Sequence, residues 1–125
     1  MSAADNIPLR GEIWFIKLPT DPPDKPPRPA IIVSIDGRNR HPRADTVLVA
    51  PLTTSVHRSV ETHILLSPGE TGLNSESAVR AEDLTTVHKS DLIASRAPLR
   101  TLSNRRICEI ASKVAIAMGC AAARP

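Results

Sequence analysis

Aromatic side chains are almost missing: the 125 residues hold one Trp, one Phe and no Tyr. That excludes a nucleic-acid surface built as a broad stacking platform, which lays successive bases on successive rings. Cysteine is nearly as scarce, with only Cys108 and Cys120. If the segment between them is helical, they lie about 18 Å apart along its axis. A disulfide needs Cα atoms within about 7 Å, so no intrachain bridge is expected. The four histidines, His41, His57, His63 and His88, include no pair at i, i+4 spacing. No metal-ligand pattern occurs, and no metal or cofactor is expected. No apolar run approaches the roughly 20 residues of a membrane-spanning helix. The opening MSAADNIPLRGE lacks the basic-then-apolar order of a secretory signal, which makes a cytoplasmic location the expectation. Also absent are GxSxG, a P-loop, a Rossmann glycine fingerprint and HExxH.

What is there fits one domain. With 41% hydrophobic and 23% charged residues, the composition is globular and not that of a disordered chain. The net charge of +3 is too mild to argue for nucleic acid. Within the basic residues, however, twelve are Arg and four are Lys. Guanidinium suits planar, bidentate phosphate contacts; a GC-rich genome would give the same excess, and both readings stand.

Residues 1–9 are expected to form a loose tail, 10–119 a single domain and 120–125 a short second tail. Strand patterns cover Gly11 to Leu18, Ala30 to Ile35, Thr46 to Thr54, Glu61 to Leu66 and Ser77 to Val87. Pro51 marks a bulge or an edge in the third. The run PTDPPDKPPRP, ending at Pro29, is a stiff extended loop. Asp36 to Asp45 is a polar turn region. HKSDLIA fits one helical turn, and Arg96 to Leu102 a short last strand. Then Ile107, Ile110, Ala111, Val114 and Met118 make a helical apolar stripe, with Ser103 or Asn104 as cap and Gly119 as stop. Five or six short strands followed by one helix predict a small antiparallel barrel, mainly β with α, closed by a C-terminal helix.

Four groups of residues offer chemistry. Arg80 and Glu82, two apart on the predicted fifth strand, share a face. In a cleft, such a carboxylate can take a proton and such a guanidinium can stabilise phosphate charge; on a surface they are an ordinary ion pair. Arg28 opens a buried strand after the stiff loop that carries Lys25. Thr53, Thr54 and Ser55 end the third strand with hydroxyls that can donate to phosphate oxygens. Arg38, Arg40 and Arg43 put three guanidinium groups on one turn, either a phosphate finger or a solvated loop. Trp14 has the option of stacking on a base, although a Trp in an alternating strand more often fills a core.

RGEIWFIKL, RPAIIVS, VAPLTTS, SAVRAEDLTTV and a TLS leading into the final helix occur in that order, and together they resemble the MazF/PemK family of toxins. The likeness spans about residues 10 to 119. It implies an SH3-like, CcdB-type barrel and a sequence-specific endoribonuclease that cuts single-stranded mRNA. The implied reaction is metal-independent: a ribose 2′-OH attacks the adjacent phosphate and leaves a cyclic phosphate and a 5′-OH. The resemblance further implies a homodimer and a cognate antitoxin partner. Residue by residue, Arg28 corresponds to the arginine that stabilises the phosphorane or acts as acid, and Thr53 to the threonine that hydrogen-bonds the phosphate. Arg80 and Glu82 correspond to an Arg-x-Asp pair of acid and base. The Pro-rich loop departs from the family, offering only Asp21 and Asp24 where many members carry Glu or His. Glu82 is then the favoured base, with Arg80 expected to depress its pKa. Two alternatives stand beside this reading. One is a non-catalytic CcdB-like gyrase poison, disfavoured by the aromatic-free tail after Gly119. The other is an RNA-binding module of the same fold that has lost its base.

Overall fold

The computed structural model describes residues 7–94 and 98–120. Six strands and three helices follow one another: β1 (Ile13–Ile16), β2 (Arg28–Ile32), α1 (Asp36–Asn39), β3 (Thr46–Thr53), β4 (His63–Leu66), α2 (Pro68–Thr71), β5 (Ser77–Arg80), β6 (Thr85–His88) and α3 (Asn104–Ala117). Short 3₁₀ turns span Ala81–Asp83 and Lys89–Asp91. The expected tails lie mostly outside the described residues.

The strands form one antiparallel sheet in the order β1-β2-β3-β5-β4, with β6 also on β3. Among the described residues the ladder does not close, so the expected small barrel is an open antiparallel sheet with the C-terminal helix packed on it. Its faces carry separate cores. Ile13, Ile31, Ala50, Leu52, Val79, Ile107 and Ile110 fill one. Trp14, Ile16, Ala30, Ile32, Val49 and Val87 fill the other. Consecutive residues of a strand point to opposite faces, so Ala30, Ile31 and Ile32 must all be apolar. The same geometry buries Trp14, whose indole Nε1 donates to Glu12 Oε1 at 3.0 Å. Trp14 is therefore a core residue and offers no surface for base stacking.

β3 organises the sheet by changing partners. On one edge it pairs with β2; on the other, Thr46–Val49 face β6 while Leu52 and Thr53 face β5. Pro51 falls between those two ladders, where a missing N–H costs no sheet bond. The predicted single strand over Ser77 to Val87 is broken at this point. Leu52 lies opposite Val79 and Val49 opposite Thr85. The second ladder is thus offset by three residues, which the 3-residue turn Ala81–Asp83 absorbs. Ala81 is buried beneath α3, which packs on this turn.

Two other expectations change. The polar segments after Ile35 and Leu66 each contain a short helix, α1 and α2. Of the expected last strand, 96–97 fall outside the described residues and the rest makes a single bridge, Thr101 to Glu12. Backbone bonds from Ile13 N to Arg100 O and from Leu102 N to Gly11 O still seal the free edge of β1.

α3 matches its pattern. Ser103 caps it, accepting from Arg106 N at 3.2 Å, and Gly119 takes φ +87° at its end. Arg106 binds Glu70 at 2.8 and 3.1 Å and Glu109 at 2.9 Å, which locks α3 to α2. Ile107 and Ile110 are buried, while Ala111 and Met118 on the same stripe are exposed. Cys108 and Cys120 are both free. Among the described residues, no helix is long and apolar enough to cross a membrane.

Candidate active site at the ends of beta strands two, three and five

Strand register assembles this site. Ala30 is paired with Pro51; carried two residues further, the same register brings Arg28 level with Thr53. Thr53 is in turn paired with Ala78 on β5, and Arg80 with His63 on β4. Four strands thus deliver Arg28, Thr53, Arg80 and His63 to one end of the sheet. A cleft of about 400 Å³ is lined by Arg28, Thr53, Arg80, Asp83 and Thr85, among others. A smaller one of about 170 Å³ is lined by Thr53, Ser55, His57, His63 and Arg80. Thr54 borders a third, with Arg28 and Thr53.

Each side chain is held by its neighbours. Arg28 donates to both oxygens of Asp21 at 3.3 Å. Asp21 is 7% exposed. It also accepts the Leu18 N–H at 2.9 Å, which folds the Pro-rich loop over the start of β2. Lys17 tightens the loop by donating to the carbonyls of Pro22 and Lys25. That amide bond, against partial desolvation and helped by Arg28, Lys25 and Lys17, holds the Asp21 carboxyl below its ordinary range. Lys25 itself stands at the loop rim, 3.9 Å from Asp21. Thr53 Oγ1 accepts the Ser55 N–H at 3.1 Å, leaving its own O–H proton to donate into the cleft.

Arg80 and Glu82 do not share a strand face as expected, because Glu82 sits in the 3₁₀ turn. They remain neighbours, with Arg80 Nε 3.7 Å from Glu82 Oε2, and Arg80 also pairs with Asp83 at 2.9 Å. Partial burial pushes the Glu82 carboxyl up. Its own backbone N–H, the Thr62 hydroxyl and the His63 ring outweigh this, and the net shift is downward. The depression expected from Arg80 therefore comes from other donors: Thr62 Oγ1 at 2.8 Å and His63 Nε2 at 3.0 Å.

The arginine turn lies elsewhere. Arg38 is spent on Thr46, donating to its carbonyl at 2.6 Å and its hydroxyl at 2.8 Å. Thr46 and Thr53 end the same strand, roughly 20 Å apart. Arg40 and Arg43 are exposed, and neither lines the clefts above. Sequence reasoning missed Asp21 as the anchor of Arg28, and Thr62 and His63 as the partners of Glu82. The available signal was His63 itself, the polar residue that opens the otherwise apolar run HILL.

Comparison with known families matches residues 9–118 to the PemK-like, MazF-like toxin of type II toxin-antitoxin system. The chain is 29% identical over 102 residues to "Probable endoribonuclease MazF5" of Mycobacterium tuberculosis, covering 82% of this chain and 87% of that one. A solved mycobacterial endoribonuclease in complex with its cognate antitoxin is 28% identical, with a TM-score of 0.69 over 90% of this chain and 95% of its own. MazF of Deinococcus radiodurans, at 19% identity, shares the fold with a TM-score of 0.65, over 90% of this chain and 97% of its own. With nearly its whole length matched and its strands in the same frame, this chain belongs to the PemK-like, MazF-like family of toxins of type II toxin–antitoxin systems.

Proposed function

We propose that this protein is an mRNA interferase, an endoribonuclease toxin that cleaves single-stranded RNA by attack of a 2′-OH on the adjacent phosphate. The carrying observation is that Arg28, Thr53 and Arg80 line one cleft with the Glu82 carboxylate beside it. In this reading Glu82 removes the 2′-OH proton as the O2′–P bond forms. Arg28 and Arg80 stabilise the added negative charge, and Thr53 donates to a phosphate oxygen. The P–O5′ bond then breaks, giving a 2′,3′-cyclic phosphate, and the departing oxygen is protonated to a 5′-OH. Guanidinium holds its protons too tightly to be the bulk source. Arg80, half exposed, instead hydrogen-bonds that oxygen while solvent water supplies its proton. No step calls for a divalent ion. Thr54 and Ser55 line the adjoining clefts and Lys25 stands beside Asp21, the partner of Arg28; in this reading the three extend the contact along the RNA backbone. Arg38, Arg40 and Arg43 lie too far from the reacting phosphate to act on it, and reach only a longer strand.

The relative solved with its cognate antitoxin supports a protein antitoxin as partner of this chain too. The exposed Ala111 and Met118, continuing the α3 stripe beyond its buried part, support a homodimer, to be tested by light scattering. An mRNA substrate and a protein antitoxin support a cytoplasmic location, which cell fractionation tests. The activity test is cleavage of single-stranded RNA in EDTA by purified protein, with end analysis of the products. The reading predicts cyclic-phosphate and 5′-OH ends, and their loss in Glu82→Gln. Intact RNA after prolonged incubation with the wild-type protein would refute it.

A further inference from the structure

His63 is a buried polar side chain at this site that the mechanism above leaves without work. It stands on β4 directly opposite Arg80 and is 7% exposed. Its Nε2 meets Glu82 Oε2 at 3.0 Å, while Thr62 Oγ1 donates to the other oxygen, Oε1, at 2.8 Å. Both carboxylate oxygens are therefore engaged from adjacent residues, Thr62 in the turn before β4 and His63 at its start. Each keeps a second lone pair, since a carboxylate offers about four acceptor positions. His63 Nδ1 is buried and has no hydrogen-bond partner among the described residues.

These contacts fix a tautomer. An ionised carboxylate only accepts, so the proton in the 3.0 Å bond belongs to His63 Nε2, and Nδ1 is bare in the neutral ring. Because Nδ1 is sealed from the cleft, the ring cannot itself take a proton from substrate. Its one polar reach is toward Glu82.

We propose that His63 is a positioning residue: by donating Nε2–H to Glu82 Oε2, together with Thr62 at Oε1, it locks the carboxylate in the orientation that faces the 2′-OH. This inference deepens the nuclease reading and rests on Glu82 being the base. The charged and titratable groups facing the pair are Arg80 on β5, Asp83 in the following turn, and His57 from the loop before β4. None of them supplies a substitute donor to Oε2 at comparable distance; Arg80 Nε is 3.7 Å away.

The test compares His63→Leu, which removes the donor, with His63→Gln, whose amide nitrogen mimics Nε2. For His63→Leu, kcat should fall about tenfold or more with KM nearly unchanged, and the acid limb of the kcat/KM profile should move up by about half a unit to one unit. His63→Gln should restore most of the rate and return the acid limb to its wild-type position. Wild-type kinetics in His63→Leu, or equal damage in both variants, would overturn the proposal. Imidazole nitrogen NMR on the wild-type protein tests it without any substitution. Protonation on Nε2, with the signal displaced in Glu82→Gln, supports the pairing; protonation on Nδ1 overturns it. Full activity in Glu82→Gln would instead refute the choice of base, a failure separate from that of the His63 pairing.

Discussion

Replacing Arg28 with alanine removes one of the two guanidinium groups that line the cleft. Arg28 is held at both ends, by its place at the start of β2 and by the two 3.3 Å bonds to Asp21. It is therefore preorganised for developing phosphate charge and needs no reorganisation when that charge appears. Losing a single preorganised donor of this kind costs about 10²–10³ in kcat, or about 2.7–4 kcal/mol. The fold should survive, because the side chain is 38% exposed and Asp21 keeps its bond from the Leu18 amide. The assay is single-turnover RNA cleavage in EDTA alongside a thermal melt. Arg28→Lys keeps the charge without the planar fork and should fall between wild type and Arg28→Ala. Asp21→Asn keeps an acceptor for Leu18 N–H but releases Arg28; its loss of kcat should be smaller than that of Arg28→Ala. If Asp21 acts only through Arg28, the double variant should be no slower than Arg28→Ala alone. Cleavage by a folded Arg28→Ala at the wild-type rate would remove this arginine from the chemistry. Additive losses in the double variant would give Asp21 a separate role.

Three further outcomes follow from other parts of the fold. Ser103→Ala deletes the cap that accepts from Arg106 N and should cost about 1 kcal/mol, a Tm drop of a few degrees with unchanged cleavage; an unchanged Tm would show that the cap is replaced by water. Gly11→Ala forces φ +94° on a residue with a Cβ and sets that carbon 2.9 Å from the Leu102 carbonyl. It should destabilise by more than about 1 kcal/mol, read in a denaturant melt, and an unaltered midpoint would contradict the tight approach of β1 to the 99–102 segment. Acid should also destabilise. The Arg106 bond, against some desolvation, lowers Glu70, and Asp21 and Glu82 are lowered too. Groups depressed in the fold contribute stability above their ordinary values of 3.8 and 4.5 and lose it as pH falls through the folded values. Tm should be level from pH 7 to about 5 and decline below about 4.5, less steeply in Glu70→Gln; a flat profile down to pH 3 would disprove the linkage.

What could be read from the sequence was local. The run around Ile31 and the stripe from Ile107 are visible because burial on two faces or one leaves a period within a single element. Arg28 could be singled out for a similar reason: it lies between a stiff loop and a buried strand. The break at Ala81–Asp83 is of another kind. It exists because β5 and β6 pair with one strand, β3, in registers offset by three residues, and that mismatch is written in three strands at once. A period-2 reading of SAVRAEDLTTV has no means of detecting it. The break nevertheless decides the chemistry, since it lifts Glu82 out of the ladder and turns it toward Thr62 and His63, partners some twenty positions earlier. In an uninterrupted strand, Glu82 would have shared a face with Arg80 and paired with it alone. The offset gives the carboxylate two hydrogen-bond donors and leaves Arg80 free to lean toward Asp83 and the cleft. Shortening the turn by deletions that keep Glu82 should therefore separate it from Thr62 and His63 and slow cleavage at least as much as His63→Leu does; an unchanged rate would contradict this role for the offset.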